Sequence, residues 1–156
     1  MSRRSAGILL YRRTADREIE VLLGHPGGPY FAKKDEGAWG IPKGESEPGE
    51  TEWEVARREF EEETGFAAPD GSPIELGEIV QKGGKEVIAW ALEGDLDPAK
   101  AASNTIEIEW PPRSGRWMTI PELDRVAWYG PAAARRAIRE RQAPFVDRLL
   151  VALGLA

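Results

Sequence analysis

Short stretches in which apolar and polar residues alternate recur along this 156-residue chain, and such alternation is the period of a β-strand. The first two stretches are joined by a polar turn at residues 14–16, so they predict a hairpin. Two later stretches flank a Lys-Gly-Gly-Lys turn and predict a second hairpin. We predict strands at residues 6–11, 18–24, 74–81, 86–92, 105–110 and 116–120.

Helical spacing of apolar residues replaces alternation in three other segments. The clearest runs from about residue 50 to residue 64, after a Pro-Gly pair and before Gly65, a typical helix stop. Pro131 opens a second helix to about residue 141, and Pro144 opens a last one. Short strands in hairpins together with few helices predict an α/β (α+β) sandwich and not a doubly wound parallel sheet.

The segment between residues 25 and 44 follows neither period and is rich in glycine and proline. A loop of this length inside a compact domain is usually functional. Repeats, low-complexity tracts and linkers are absent from the sequence, so we expect a single domain over residues 1–156.

Composition narrows the function classes. The chain has no cysteine and one histidine, which excludes disulfides and thiolate metal sites. Its formal net charge of −6 argues against a nucleic-acid partner, because nucleic-acid-binding proteins usually carry a basic face. It does not argue against a phosphorylated small molecule, since divalent cations can bridge an acidic protein and a polyphosphate.

The N-terminus resembles a signal peptide only superficially. Its apolar run covers residues 6–11 and is followed at once by arginines, whereas a secretory apolar region is longer. No run reaches the roughly 18 apolar residues of a membrane span. We therefore expect a first strand here, a cytoplasmic location and no membrane association.

A cluster of glutamates stands out on the predicted helix at residues 50–64. At about 100° per residue, Glu59, Glu62 and Glu63 share one sector beside the apolar stripe, whereas Glu61 points to solvent. Like charges at this spacing repel one another, and the C-terminal end of a helix disfavours anions. The arrangement therefore indicates that a cation neutralises these side chains.

Two interpretations of the cluster stay open from the residues alone. In the first, the glutamates form a solvated acidic face, neutralised by pairs four residues apart such as Arg58 with Glu62. Alternatively, they bind a hard divalent cation such as Mg²⁺, which prefers carboxylate and phosphate oxygens. Their position beside the apolar stripe favours the metal, and a single histidine leaves little for a zinc site.

Residues 44–66 resemble the signature of the Nudix hydrolase family. In that signature a glycine is followed at fixed intervals by a glutamate, an arginine, three further glutamates and a second glycine. Every fixed position is filled in this sequence, without departure from the pattern. These positions are Gly44, Glu50, Arg58, Glu59, Phe60, Glu62, Glu63, Gly65 and Phe66.

The resemblance implies a Nudix-type αβα sandwich with a mixed β-sheet between helices. It implies that a loop–helix–loop binds Mg²⁺ or Mn²⁺ and hydrolyses a nucleoside diphosphate linked to another moiety. Glu62 and Glu63 would be principal metal ligands, and Glu59 would be a ligand or the base. Gly44 would turn the chain tightly and offer its backbone to the metal.

The same resemblance gives the remaining signature residues supporting roles. Arg58 would be one of the catalytic residues and, together with Glu50, would orient the carboxylates. Gly65 would end the helix. The implied chemistry is hydrolysis at phosphorus, in which metal ions activate a water molecule and a glutamate takes its proton.

Many Nudix enzymes add a carboxylate from a strand or loop after the signature. Glu107 and Glu109 lie on one face of the strand predicted at residues 105–110, so both are candidates for an extra metal ligand or base. The alternative is that they form the wet face of that strand.

Substrate-binding candidates come mainly from the loops. Residues 42–44, Pro-Lys-Gly, resemble the entry to the signature in Nudix enzymes that act on dinucleoside polyphosphates or diphosphoinositols, so Lys43 is a candidate phosphate contact. Further candidates are His25, Tyr30, Lys33, Arg113 and Arg116.

We therefore predict a nucleoside triphosphate or a dinucleoside polyphosphate as substrate. ADP-ribose or another nucleotide sugar is the alternative substrate, and a module that senses a nucleotide without hydrolysing it is the alternative class. An RNA 5′ end fits the chemistry, although the acidic charge argues against it. The sequence leaves open the number of metal ions, the general base, the phosphorus attacked and whether the protein is a monomer or a homodimer.

Overall fold

The computed structural model describes residues 4–156. The strands in this range are β1 Arg4–Arg13, β2 Ile19–Pro26, β3 Lys43–Glu45, β4 Ile74–Val80, β5 Glu86–Glu93, β6 Thr105–Glu109, β7 Trp117–Pro121 and β8 Leu123–Tyr129. The helices are α1 Glu52–Thr64, α2 Pro131–Ala137 and α3 Ala143–Ala152, with 3-10 turns at Pro98–Lys100 and Glu140–Gln142. Among these residues no helix has the length and apolar character needed to cross a membrane.

The main sheet is mixed, as predicted. Its strands follow the order β4-β5-β1-β2-β8, and β3 also pairs with β1. β1 runs parallel to β5 and antiparallel to β2 and β3. β6 and β7 form a separate two-stranded hairpin. Both hairpins predicted from the sequence, β1–β2 and β4–β5, are confirmed.

Helices cover both faces of the sheet, which confirms the αβα sandwich. Ile8 and Leu10 of β1 point to one face and pack with Phe60 of α1. Leu9 points to the other face and packs with Phe145 of α3. Because neighbouring side chains of a strand alternate between faces, a strand segment buried on both sides carries no charged residue, as in residues 6–11 of β1.

Three elements differ from the sequence-based predictions. β3 begins in the last two residues of the segment predicted to be irregular, and β8 follows Glu122 where no strand was predicted. The helix predicted to reach residue 141 ends at Ala137, because Ile138 is extended and forms a parallel bridge with Trp39. That bridge holds the C-terminal segment against the long loop.

β3 is short because β1 changes partners along its length. Residues 11–13 pair with β2, whereas residues 5–7 pair with β3. Gly24 and Gly40 close the gap between β2 and the loop, with N–H···O distances of 2.8 and 3.0 Å. A Cβ at Gly7 would strike the carbonyl oxygen of Pro42, so glycine lets the loop lie directly on β1. This contact fixes the chain that enters the glutamate helix.

Candidate active site

Local signals set the ends of α1, and both ends agree with the sequence analysis. Thr51 and Glu54 form a reciprocal capping box: the Thr51 hydroxyl accepts from the Glu54 N–H at 3.2 Å, and the Glu54 carboxylate accepts from the Thr51 N–H at 3.0 Å. Gly65 ends the helix in the left-handed region, with φ of 78°, and donates to the Glu61 carbonyl at 2.8 Å. The glutamates therefore project from a well-defined helix.

The structure places the clustered glutamates at different depths. Glu59 and Glu63 are buried, Glu62 is partly exposed and Glu61 faces solvent. The exposure of Glu61 agrees with the helical wheel. The burial of Glu59 and Glu63 exceeds what one apolar stripe predicts, because β3 packs against α1 and covers this side of the helix as well.

Arg58 connects the supporting glutamate to the cluster. Its Nε and Nη2 donate to the two carboxylate oxygens of Glu50, at 2.8 and 2.9 Å. Its Nη1 donates to Glu59 at 3.0 Å and to Glu62 at 3.2 Å. This bidentate pairing holds the pKa of Glu50 down to about 2. Arg58 thus links Glu50 to Glu59 and Glu62 by direct hydrogen bonds.

The loop that enters α1 lies on the buried glutamates. The Lys43 N–H donates to Oε2 of Glu63 at 3.0 Å. A Cβ on Gly44 would overlap the carboxyl group of Glu59, so only glycine fits here without displacement. The signature glycine therefore makes room for a signature glutamate.

Burial of like charges dominates the electrostatics of the site. Burial, followed by the charges of Glu122 and Glu59, raises the pKa of Glu63 to about 9. Burial and the charge of Glu62 raise the pKa of Glu59 as well. Without a cation, the protein therefore favours a protonated carboxyl at this position.

Glu122 is a site residue that sequence reasoning missed. It lies between β7 and β8, and its Oε1 accepts from Asn104 Nδ2 at 3.3 Å. The Asn104 N–H donates to the carbonyl of Glu62 at 2.7 Å, which links Glu122 to the end of α1. The only local signal was an acidic residue after a proline, which is too common to single out.

Two cations lie beside the carboxylates. A pocket of about 160 Å³ is lined by Lys43, Glu63, Glu122 and Arg139, together with Gln142 and several apolar and glycine residues. Burial, and then the charge of Arg139, lowers the pKa of Lys43. Burial also lowers the pKa of Arg139. Arg139 follows the shortened helix α2 and was not among the sequence-based candidates.

This geometry matches the family signature, and comparison with known proteins decides the family. The family model described as NUDIX domain matches residues 1–149. The chain belongs to the Nudix family. The bis(5′-nucleosyl)-tetraphosphatase (asymmetrical) of Rattus norvegicus is 30% identical over 139 residues, which cover 83% of this chain and 87% of the relative.

Two further similarities are informative. The RNA pyrophosphohydrolase of Erythrobacter litoralis is 45% identical over 65 residues, 38% of this chain and 37% of that protein. The crystal structure of a C. elegans Ap4A hydrolase binary complex superposes with a TM-score of 0.66 at 21% identity and covers 96% of this chain and 98% of that chain. The family match and the hydrolase relatives identify the chain as a Nudix hydrolase acting on phosphoric anhydrides.

The Nudix assignment implies a divalent cation, and the donor chemistry fits one. Within residues 4–156 no group of three or more His, Asp or Glu side chains is already arranged as a metal site. However, Glu59, Glu62 and Glu63 offer only hard oxygen donors, as Mg²⁺ and Mn²⁺ require. Burial, and then the charge of neighbouring glutamates, raises the pKa values of Glu59 and Glu63, and a cation would stabilise their ionised forms.

The predicted substrate residues separate into two groups. Lys43 lines the pocket with Glu63, and Tyr30 lines a larger neighbouring pocket of about 790 Å³. His25 is fully buried, with Nδ1 2.9 Å from Asp124 Oδ1 and Nε2 2.6 Å from the Lys34 carbonyl. Its ring therefore ties the long loop to β8 and is not open to a substrate.

The remaining candidates lie away from these pockets. Lys33 is exposed on the loop and lines neither pocket. Glu109 accepts from the Gly115 N–H at 2.9 Å at the tip of the β6–β7 hairpin, and Glu107 is exposed on β6. Arg113 and Arg116 are exposed at the same tip. The structure does not bring these four hairpin residues to Glu63; the later carboxylate beside Glu63 is Glu122.

We expect the metal-free protein to lose stability as the pH rises from about 4.5 to about 9, because the folded state keeps the Glu63 proton that the unfolded chain releases near 4.5. The expected slope is roughly 1 kcal/mol per pH unit. Urea unfolding in EDTA at the two ends of this interval measures it. Glu63→Gln should flatten the slope, whereas Glu61→Gln should leave it unchanged; equal slopes in all three proteins would contradict the assignment.

Proposed function

We propose that this Nudix protein is a divalent-metal-dependent pyrophosphohydrolase whose substrate is a dinucleoside polyphosphate or a nucleoside triphosphate. One observation carries the proposal: carboxylates and cations share one pocket, in which Glu63 and Glu122 face Lys43 and Arg139. The carboxylates suit a divalent cation, and the lysine and arginine suit the phosphate oxygens of the substrate.

Different residues of the chain would bind the cation and orient its ligands. Glu59, Glu62 and Glu63, with the backbone of Gly44, would hold the cation. When bound, this cation supplies charge stabilisation and lowers the pKa of a water molecule. Arg58 orients Glu59 and Glu62 by direct hydrogen bonds.

The water's proton needs an acceptor close to the buried cluster. Glu122 lies near enough to Glu63 and Glu59 for its charge to raise both pKa values. It comes from a segment after the signature, as the sequence analysis expected of an extra carboxylate. We therefore assign Glu122 the role of general base or additional ligand in place of Glu107 and Glu109.

Two features support the substrate class. The rat relative that aligns with most of this chain is a bis(5′-nucleosyl)-tetraphosphatase. The pocket lined by Lys43 and Glu63 also shares the lining residue Arg139 with a second pocket of about 790 Å³. A substrate with several phosphates and a nucleoside at each end is long enough to occupy both.

A hydrolysis screen in ¹⁸O-labelled water tests this proposal. It compares dinucleoside polyphosphates, nucleoside triphosphates, ADP-ribose and triphosphorylated RNA, each with Mg²⁺, Mn²⁺ or EDTA. We expect Mg²⁺- or Mn²⁺-dependent cleavage of the first two classes, with ¹⁸O in one product that identifies the phosphorus attacked. Nucleotide binding without turnover would instead indicate a sensing module, and preferential cleavage of RNA or ADP-ribose would overturn the substrate class.

A further inference from the structure

Arg139 is a half-buried cation that forms no ion pair within residues 4–156, although Glu63 and Glu122 line the same pocket. Its Nε donates to the Ala38 carbonyl at 3.4 Å, and its guanidinium lies 5.5 Å from the ring centre of Phe31. Burial lowers its pKa, and no carboxylate within residues 4–156 offsets that effect. A desolvated arginine without an ion-pair partner is costly, so its environment is suited to an anionic ligand.

A second cation increases this cost. This second cation is the side chain of Lys43. Lys43 and Arg139 both line the small pocket beside Glu63. Two cations held together in a half-buried pocket are stabilised when a phosphate group binds between them.

Arg139 also lines the larger pocket, so its side chain borders both pockets. Its place is set by the backbone, because its N–H donates to the Trp39 carbonyl at 2.8 Å and Ile138 bridges to Trp39. The side chain is therefore not needed to hold the backbone in this position. Its substitution tests ligand binding with little effect on the fold.

Away from Arg139, the larger pocket is lined by aromatic side chains and by charges of both signs. Tyr30 and Phe31 pack edge to face with ring centres 4.8 Å apart, and Lys34 Nζ lies 3.8 Å above the Tyr30 ring. The other charged residues of its lining have both signs: Asp35, Glu36, Lys82, Glu140 and Arg141. Mixed charge with exposed aromatic surface suits an uncharged nucleoside better than a further run of phosphates.

We propose that Arg139 binds the phosphate chain where it leaves the Lys43–Glu63 pocket, and that Tyr30 and Phe31 receive the nucleoside at its far end. This inference rests on the proposed function and deepens it. It selects substrates with a nucleoside at both ends over nucleoside triphosphates. It also makes Arg139 a specificity-determining residue outside the Nudix signature.

Isothermal titration calorimetry with inorganic tripolyphosphate tests the arginine, with Mg²⁺ and separately with EDTA. Arg139→Gln should weaken binding by about tenfold to a hundredfold, the effect of losing charged hydrogen bonds. Arg139→Lys should retain part of the affinity. Arg136→Gln is the matched control, because Arg136 is exposed on the same segment and lines neither pocket.

A diadenosine tetraphosphate analogue with methylene bridges tests the nucleoside part. Tyr30→Ala should weaken binding of this analogue severalfold and leave tripolyphosphate binding unchanged. Equal affinity of Arg139→Gln and wild type for tripolyphosphate, or no binding by wild type, would overturn the role of Arg139. Equal losses for both ligands in Tyr30→Ala would overturn the nucleoside site.

Because these are binding measurements on intact protein, they separate the two proposals. Arg139-dependent binding together with no hydrolysis of any nucleotide would retain the phosphate site and reject the pyrophosphohydrolase. Nucleotide hydrolysis by the wild type, together with unchanged tripolyphosphate binding in Arg139→Gln, would retain the pyrophosphohydrolase and reject the phosphate site at Arg139. Thermal unfolding of each variant, compared with Arg136→Gln, checks that the fold is intact.

Discussion

Glu63→Gln is expected to lower kcat on the preferred nucleotide by about two to four orders of magnitude while the protein still folds. The amide keeps the size of the side chain and still accepts the hydrogen bond that the Lys43 N–H donates at 3.0 Å. It removes the negative charge that faces Glu59 and Glu122. Loss of a group that acts mainly in the transition state lowers kcat more than it raises KM.

Steady-state kinetics with Mg²⁺ and with Mn²⁺ measure this effect, and Glu61→Gln is its matched control. Glu61 is a neighbour on the same helix but faces solvent, so its substitution should leave kcat within about twofold. Circular dichroism and urea unfolding of Glu63→Gln check the fold. Near-wild-type turnover in Glu63→Gln would reject the assignment of the buried glutamates as metal ligands.

The glutamate helix was predictable because its signals are local. The capping pair Thr51 and Glu54, the stop at Gly65 and the helical period all lie within about four turns of chain. The exposure of Glu61 follows from the same period. A sequence carries such information without reference to the rest of the fold.

The depth of Glu59 and Glu63 was less predictable, because burial depends on what packs against the helix. β3 has only three residues, Lys-Gly-Glu, and follows a stretch rich in glycine and proline. Three residues are too few to show the alternation of a strand. β3 forms because β1 offers it a free edge. The sequence of the loop alone indicates neither that β3 pairs with β1 nor that it packs against α1.

Glu122 and Arg139 were not predictable either, because each depends on contacts between segments that are far apart in the sequence. Glu122 reaches the cluster through Asn104, which bonds the end of α1. Arg139 reaches it because Ile138 leaves the helical path to bridge Trp39, about a hundred residues earlier.

In contrast, Glu107 and Glu109 alternate correctly along β6, but that strand pairs only with β7 and lies outside the main sheet. Periodicity identified the strand and not its neighbours.

Gly44→Ala is the second substitution with a large expected effect. A Cβ at this position would overlap the Glu59 carboxyl group, which is buried and held by Arg58 at 3.0 Å. Glu59 or the loop must move, so we expect a loss of about 1–3 kcal/mol in the free energy of unfolding. We also expect kcat to fall at least tenfold, since small displacements of catalytic groups are costly.

Urea unfolding and steady-state kinetics measure both effects against Gly130→Ala. Gly130 has an ordinary φ of −66° and no atom within 4 Å of an added Cβ, so this control changes a glycine without a clash. A double variant locates the cause. Glu59→Asp shortens the side chain that the new Cβ meets, so the stability losses of Gly44→Ala and Glu59→Asp should sum to more than the loss in the double variant. Strict additivity would mean that Gly44 is needed for its backbone alone and not for the space it leaves to Glu59.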